Sequence, residues 1–110
     1  RYAILTDIHA NREAFEAVLA DAGQHGLERF AILGDVVGYG ADPGWCCDTV
    51  AALQARGALV VRGNHDHAAA GAAEPMSANA GRAMSWTQAR LSAAQRAFLA
   101  GLPLSLTLAD

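Results

Sequence analysis

Residues 59–68 read LVVRGNHDHA. Three apolar residues, Leu59, Val60 and Val61, lead through Arg62 and Gly63 into Asn64, His65, Asp66 and His67. Burying four such side chains is costly unless they are paired or bound to something. The stretch therefore reads as a buried strand that opens into a site. Two earlier stretches have the same form. Residues 2–6 (YAILT) lead into Asp7 and His9, and residues 30–33 (FAIL) lead into Gly34 and Asp35. All three apolar runs are continuous rather than alternating, as in strands covered on both faces.

Helical patterns fill the gaps between the runs. Asn11 is placed to cap a helix, with Phe15, Val18, Leu19 and Ala22 on one face and Gly23 or Gly26 at its end. Asp42 and Pro43 open a second helix as cap and first-turn residue, and Gly57 closes it. Strand, helix, strand, helix, strand is the order of a parallel sheet with crossover connections. Downstream, residues 68–75 read as a small-residue loop, and residues 77–90 as a helix through Ala80, Ala83, Met84 and Trp86. Ser92 and Gln95 form a capping box for a further helix, stopped by Gly101 and Pro103. Residues 104–108 (LSLTL) alternate strictly and predict a half-exposed strand.

Composition narrows the function classes. A chain of 110 residues is the size of one small domain, and 53% hydrophobic residues suffice for a core. The eight basic residues, all Arg, are scattered and the net charge is −3, so no stable nucleic-acid complex is expected. No segment is long and apolar enough to span a membrane, and a cytoplasmic protein is the expectation. Cys46 and Cys47 are adjacent, lack zinc-knuckle spacing, and read as core residues of the second helix.

In an open parallel sheet the carboxyl ends of the strands share one edge, and ligands bind there. Asp7 and His9, Asp35, and Asn64, His65 and Asp66 thus converge from three separated segments. In an extended segment Asp7 and His9, two residues apart, project to the same side. Carboxylate, imidazole and amide oxygens together suit Mn, Fe, Zn or Ni better than an all-oxygen Mg or Ca site. Arg62 is placed to meet a phosphate oxygen or to stay solvated, and Tyr39 to cover a substrate or to pack. His67 fits a loop position, and His25 lies near a helix end, where it can complement the dipole.

D-x-H at residues 7–9, G-D-x-x-G at 34–38 and G-N-H-D at 63–66, in that order and each after a predicted strand, resemble the calcineurin-like metallophosphoesterase family. GDVVGYGADP at 34–43, with Asn79, Trp86 and Thr87 and the later Leu91, Ser92, Leu102 and Pro103, is similar to a bacterial subgroup of small phosphoesterases. The resemblance implies an α/β fold: the parallel βαβαβ half of a metallophosphoesterase sandwich, with extra C-terminal helices and the start of a second sheet. It implies two divalent metal ions. Asp7 and His9 would hold the first, Asp35 would bridge, and Asn64 would ligate the second through its amide oxygen. His65 would be no ligand but would stand near the phosphate, oriented by Asp66. A phosphomonoester or phosphodiester would be hydrolysed by a water activated between the ions. The expected partner is a small phosphorylated substrate, nucleotides included. A protein-interaction scaffold on the same fold and a dinucleoside polyphosphate hydrolase are the alternatives.

That ligand set gives the first ion three protein ligands and the second only two. The family completes it with imidazoles from a G-H-x-H block, which does not occur in this sequence. The expectation is therefore that residues 1–110 form the N-terminal part of a single metallophosphoesterase domain. Downstream residues, or a second copy in a homo-oligomer, would then cover the exposed sheet edge.

Overall fold

The computed structural model describes residues 1–71 and 76–108. Strands β1 (Ala3–Leu5), β2 (Phe30–Ile32) and β3 (Leu59–Val60) form one parallel sheet in the order β1-β2-β3. The register pairs Ile4 with Ala31 and Ala31 with Leu59 in one row, and Leu5 with Ile32 and Ile32 with Val60 in the next. Helices α1 (Arg12–Gln24) and α2 (Pro43–Ala55) make the two crossovers.

Helix boundaries follow local chemistry. The Asn11 side chain accepts the Ala14 N–H, which satisfies one orphan donor of α1. Gly26, not Gly23, closes the helix: its N–H reaches Gly23 O while Leu27 N–H reaches Ala22 O. Helix α2 ends in the same way, with Gly57 bonded to Gln54 O and Ala58 to Leu53 O. Asp42 holds the cap position of α2, but its carboxylate makes no capping bond.

Among the described residues the sheet is covered on one face only. Ile32, Val60, Phe15, Val50, Leu53 and the two cysteines share one core cluster, so α1 and α2 lie over the same side. On the other side Ile4 is 67% exposed and Leu33 is 50% exposed. The continuous apolar runs predict cover on both faces, and the described residues supply half of it.

Three further helices follow, α3 (Asn64–Ala69), α4 (Ala78–Arg90) and α5 (Ala93–Gly101); α4 and α5 pack beside α2, and α3 packs on α4 and α5. Ser77 caps α4, and Ser92 with Gln95 forms the predicted capping box of α5. The buried face of α4 is Ala80, Met84 and Thr87, whereas Trp86 is part-exposed under the Arg90 guanidinium at 4.7 Å. Helix α3 takes in Ala68 and Ala69, the first two residues of the expected loop at 68–75, and residues 72–75 of that loop lie outside the described residues.

The predicted strand at 104–108 does not form among the described residues. A strand needs a neighbour to take its backbone hydrogen bonds, and this segment has none: Leu104, Leu106 and Leu108 are all exposed. Among the described residues no helix is long and apolar enough to cross a membrane.

Candidate metal centre

The chain continues past each strand end without leaving the sheet edge. Asp7 N–H, His9 N–H and Ala10 N–H bond to the carbonyls of Gly34, Asp35 and Val36. The loop after β2 also crosses the loop after β3 at very short range. A Cβ on Gly34 would lie 2.6 Å from Gly63 N and 2.8 Å from its Cα, so no side chain fits there. These bonds hold Asp7, His9, Ala10, Asp35 and Tyr39 at positive φ, between 48° and 67°. Such geometry costs energy in non-glycine residues and persists only where the surroundings over-determine it. Asp7 and His9 are therefore not extended, as the alternation argument expects. Left-handed turns bring them together instead.

The turns place His9 Nε2 at 3.2 Å from Asp7 Oδ1 and 4.0 Å from Asp35 Oδ2. His65 Nδ1 lies 3.5 Å from Asp35 Oδ1. Ligand atoms of His9, Asp35 and His65 all fall within 4.8 Å of one another. Asp7 is the open side of the cluster, with its side chain 58% exposed, against 18% for Asp35 and 12% for His65.

Hydrogen bonding decides what this cluster suits. His9 Nδ1 lies 3.2 Å from the Val37 carbonyl oxygen. A carbonyl only accepts, so Nδ1 carries the proton and the Nε2 lone pair faces two carboxylates. Three acceptors aimed at one another repel unless a proton or a cation stands among them. His65 Nδ1 is likewise buried without a hydrogen-bond partner among the described residues. A carbonyl fixing the far nitrogen of an imidazole is also the usual support of a metal-ligating histidine. The donor set thus fits a divalent cation held by His9 and Asp35, with Asp7 beside them. The resemblance keeps His65 out of the ligand set, but the structure puts its Nδ1 within reach of the same ion.

Asp66 does not do what the resemblance assigns to it. Its side chain is fully buried. Oδ1 accepts the N–H groups of Val36 at 2.8 Å and Val37 at 3.2 Å, and Oδ2 accepts that of Gly63 at 3.0 Å. Both oxygens are thus committed to backbone, and the carboxylate beside His65 is that of Asp35. Asp35 Oδ1 also accepts the His65 backbone N–H at 3.1 Å. Burial pushes the Asp66 carboxyl above its usual range, while the backbone donors pull it back. Asp66 is a clamp between the loops after β2 and β3. The partial sequence signal was an acid three residues after Gly63, the spacing of a helix-start carboxylate that reaches back to a backbone N–H.

The other expected residues divide. Asn64, exposed at the first position of α3, makes no hydrogen bond to the cluster among the described residues. Arg62 does not join it: Nη1 donates to the Ala100 carbonyl at 3.0 Å, and its backbone N–H to Pro103 O, so it fastens α5 to the end of β3. Tyr39 does join, its ring centroid 4.9 Å from that of His65 and 5.3 Å from that of His9. His25 sits at the C-terminus of α1 as expected, its ring bonded to Asp21 O. The cysteines are core residues, and burial pushes both thiols up to about 12, which keeps them protonated and poor ligands.

Comparison with known proteins agrees with this geometry. Residues 1–105 match the family described as calcineurin-like phosphoesterase. An uncharacterized protein of Methanocaldococcus jannaschii is 36% identical over 104 residues, covering 93% of this chain and 42% of that protein. The crystal structure of a metallophosphoesterase from Sphaerobacter thermophilus superposes with a TM-score of 0.75 at 39% identity, covering 93% of this chain and 41% of the other. The chain thus spans about two-fifths of the length of both relatives. With three parallel strands delivering its metal-competent side chains to one edge, the chain belongs to the calcineurin-like phosphoesterase family.

Proposed function

We propose that the complete protein is a metal-dependent phosphoesterase that hydrolyses a phosphomonoester or phosphodiester at this strand-end cluster. The observation that carries the reading is the orientation of His9, whose Nδ1 donates to Val37 O and whose Nε2 is left facing the Asp7 and Asp35 carboxylates. Asp7, His9, Asp35 and Asn64 would hold two divalent ions of the Mn, Fe, Zn or Ni kind. Such ions, when bound, polarise phosphoryl oxygens and make water more acidic.

The chain's own residues do the rest. Asp35 fixes His65 twice, through the backbone N–H and beside Nδ1, and so sets where the imidazole stands. From there His65 delivers a proton to the leaving oxygen as the phosphorus–oxygen bond breaks and water oxygen joins phosphorus. Asp66 keeps the loops carrying Asp35 and His65 at a fixed spacing.

Hydrolysis of a chromogenic phosphodiester and phosphomonoester by the complete protein, with manganese and after chelation, tests the reading. Activity should depend on the metal. His65→Asn should lower turnover by about a hundredfold or more while metal content by elemental analysis stays unchanged. Loss of metal in that variant would make His65 a ligand, and activity that survives chelation would contradict the reading as a whole.

A further inference from the structure

Tyr39 is an odd residue to find where it is. Its backbone has φ 67°, a left-handed conformation that a large side chain adopts at a cost. The ring leans on His9 and His65, yet the residue is 59% exposed. Its hydroxyl makes no hydrogen bond among the described residues. Gly38 just before it lies close over the His65 ring, where an added Cβ would come within 2.8 Å of Cδ2, so no side chain fits at that position. An aromatic ring set against two site imidazoles, with most of its surface open, is poorly explained by packing alone.

The space beside it gives the ring a use. A cleft of about 510 Å3 runs from Asp7 and His9 past Tyr39 and Gly40 to Asn11 and Glu13 at the start of α1. Its charged groups are both acidic. The neighbouring Arg12 is engaged elsewhere, with Nε on Glu16 at 2.9 Å and its guanidinium over the Trp45 ring at 4.7 Å. Apart from any ion held at Asp7 and His9, no cationic side chain lines the cleft, so a charged leaving group finds no side-chain partner here. A flat, uncharged aromatic group would meet a ring face.

We propose that Tyr39 determines specificity: it is the platform on which a flat, uncharged, aromatic leaving group of the ester stacks. The inference rests on the phosphoesterase reading of the cluster. Stacking of this kind is worth on the order of tenfold to a hundredfold in affinity.

The test compares kcat/KM for 1-naphthyl phosphate and for glycerol 2-phosphate in the manganese-loaded complete protein, as wild type, Tyr39→Leu and Tyr39→Phe. The ratio of the two values cancels any general damage to the site. Tyr39→Leu should lower the naphthyl-to-glycerol ratio by about tenfold or more, mostly through KM, and Tyr39→Phe should restore it. Equal losses on both esters, or no loss on either, would overturn the inference while leaving the phosphoesterase reading intact. Preference of the wild type for glycerol 2-phosphate over naphthyl phosphate would also overturn it. A wild type inactive on both would bring down the underlying reading, and the inference with it.

Discussion

Two parts of the molecule are held together by different means. At the edge where the strands end, five non-glycine residues adopt left-handed backbone, and a fully buried carboxylate gathers three backbone N–H groups from two loops. In α4 and α5 the described backbone has no residue of that kind, and the helices start with capping by Ser77 and Ser92. The edge is specified by bonds between residues about thirty positions apart. The helices are specified by neighbours three positions apart. Strain is concentrated where the metal-competent groups meet, and cross-loop hydrogen bonds are what hold it there. Substitutions at the edge should therefore disturb stability or metal binding, whereas those in the helices should disturb stability alone.

The largest effect is expected from Asp66→Ala. It leaves two buried N–H groups and one part-buried N–H without an acceptor, and unfolding by urea should show a loss of about 3 kcal/mol or more. A loss under about 1 kcal/mol would mean that the two loops are not clamped through this carboxylate, and the contrast between edge and helices would fail. Asp35→Asn should separate the two properties. The amide oxygen can still accept the His65 N–H, and one charge of a crowded acidic cluster disappears. Manganese affinity measured by calorimetry should drop at least about tenfold, with stability of the metal-free protein little changed. Undiminished affinity would remove Asp35 from the ligand set.

Ser92→Ala is the matching change in the helical part. Losing the cap of α5 should cost about 1 kcal/mol and leave manganese affinity as it was. A change in affinity would show that α5, which Arg62 ties to the end of β3, reaches the site after all. The smallest effect is expected at the two thiols. With both pushed up to about 12, the thiolate is scarce at pH 8, so a disulfide reagent should label Cys46 and Cys47 no faster than the protein unfolds. Rapid labelling of the folded protein would show that the core under α2 opens locally.

The same contrast explains what could be read in the sequence. The three apolar runs, the Asn11 cap, the Gly57 stop and the Ser92–Gln95 box carry their signals within a few residues, and each falls where it was expected. So does the convergence of Asp7, His9, Asp35 and His65, because strand ends in a parallel sheet share an edge. The part played by Asp66 was not legible, since two of its donors, Val36 and Val37, lie about thirty residues upstream in a loop with no periodic pattern. Helical spacing puts Trp86 in line with Ala80, Ala83 and Met84, but Arg90 one helical turn on offers its ring a partner at the surface. Residues 104–108 show why alternation is not enough: the pattern describes what a strand would bury, and only a paired neighbour makes it one.

The most direct measurement is anomalous X-ray scattering at the manganese edge from crystals of the complete protein soaked in Mn2+. A metal bonded to His9 Nε2 and an Asp35 oxygen, at about 2.0–2.3 Å, with His9 Nδ1 still donating to the Val37 carbonyl, is the predicted result. The absence of a peak at saturating manganese, or a peak that touches neither His9 nor Asp35, would contradict the assignment of the strand-end cluster as a metal centre.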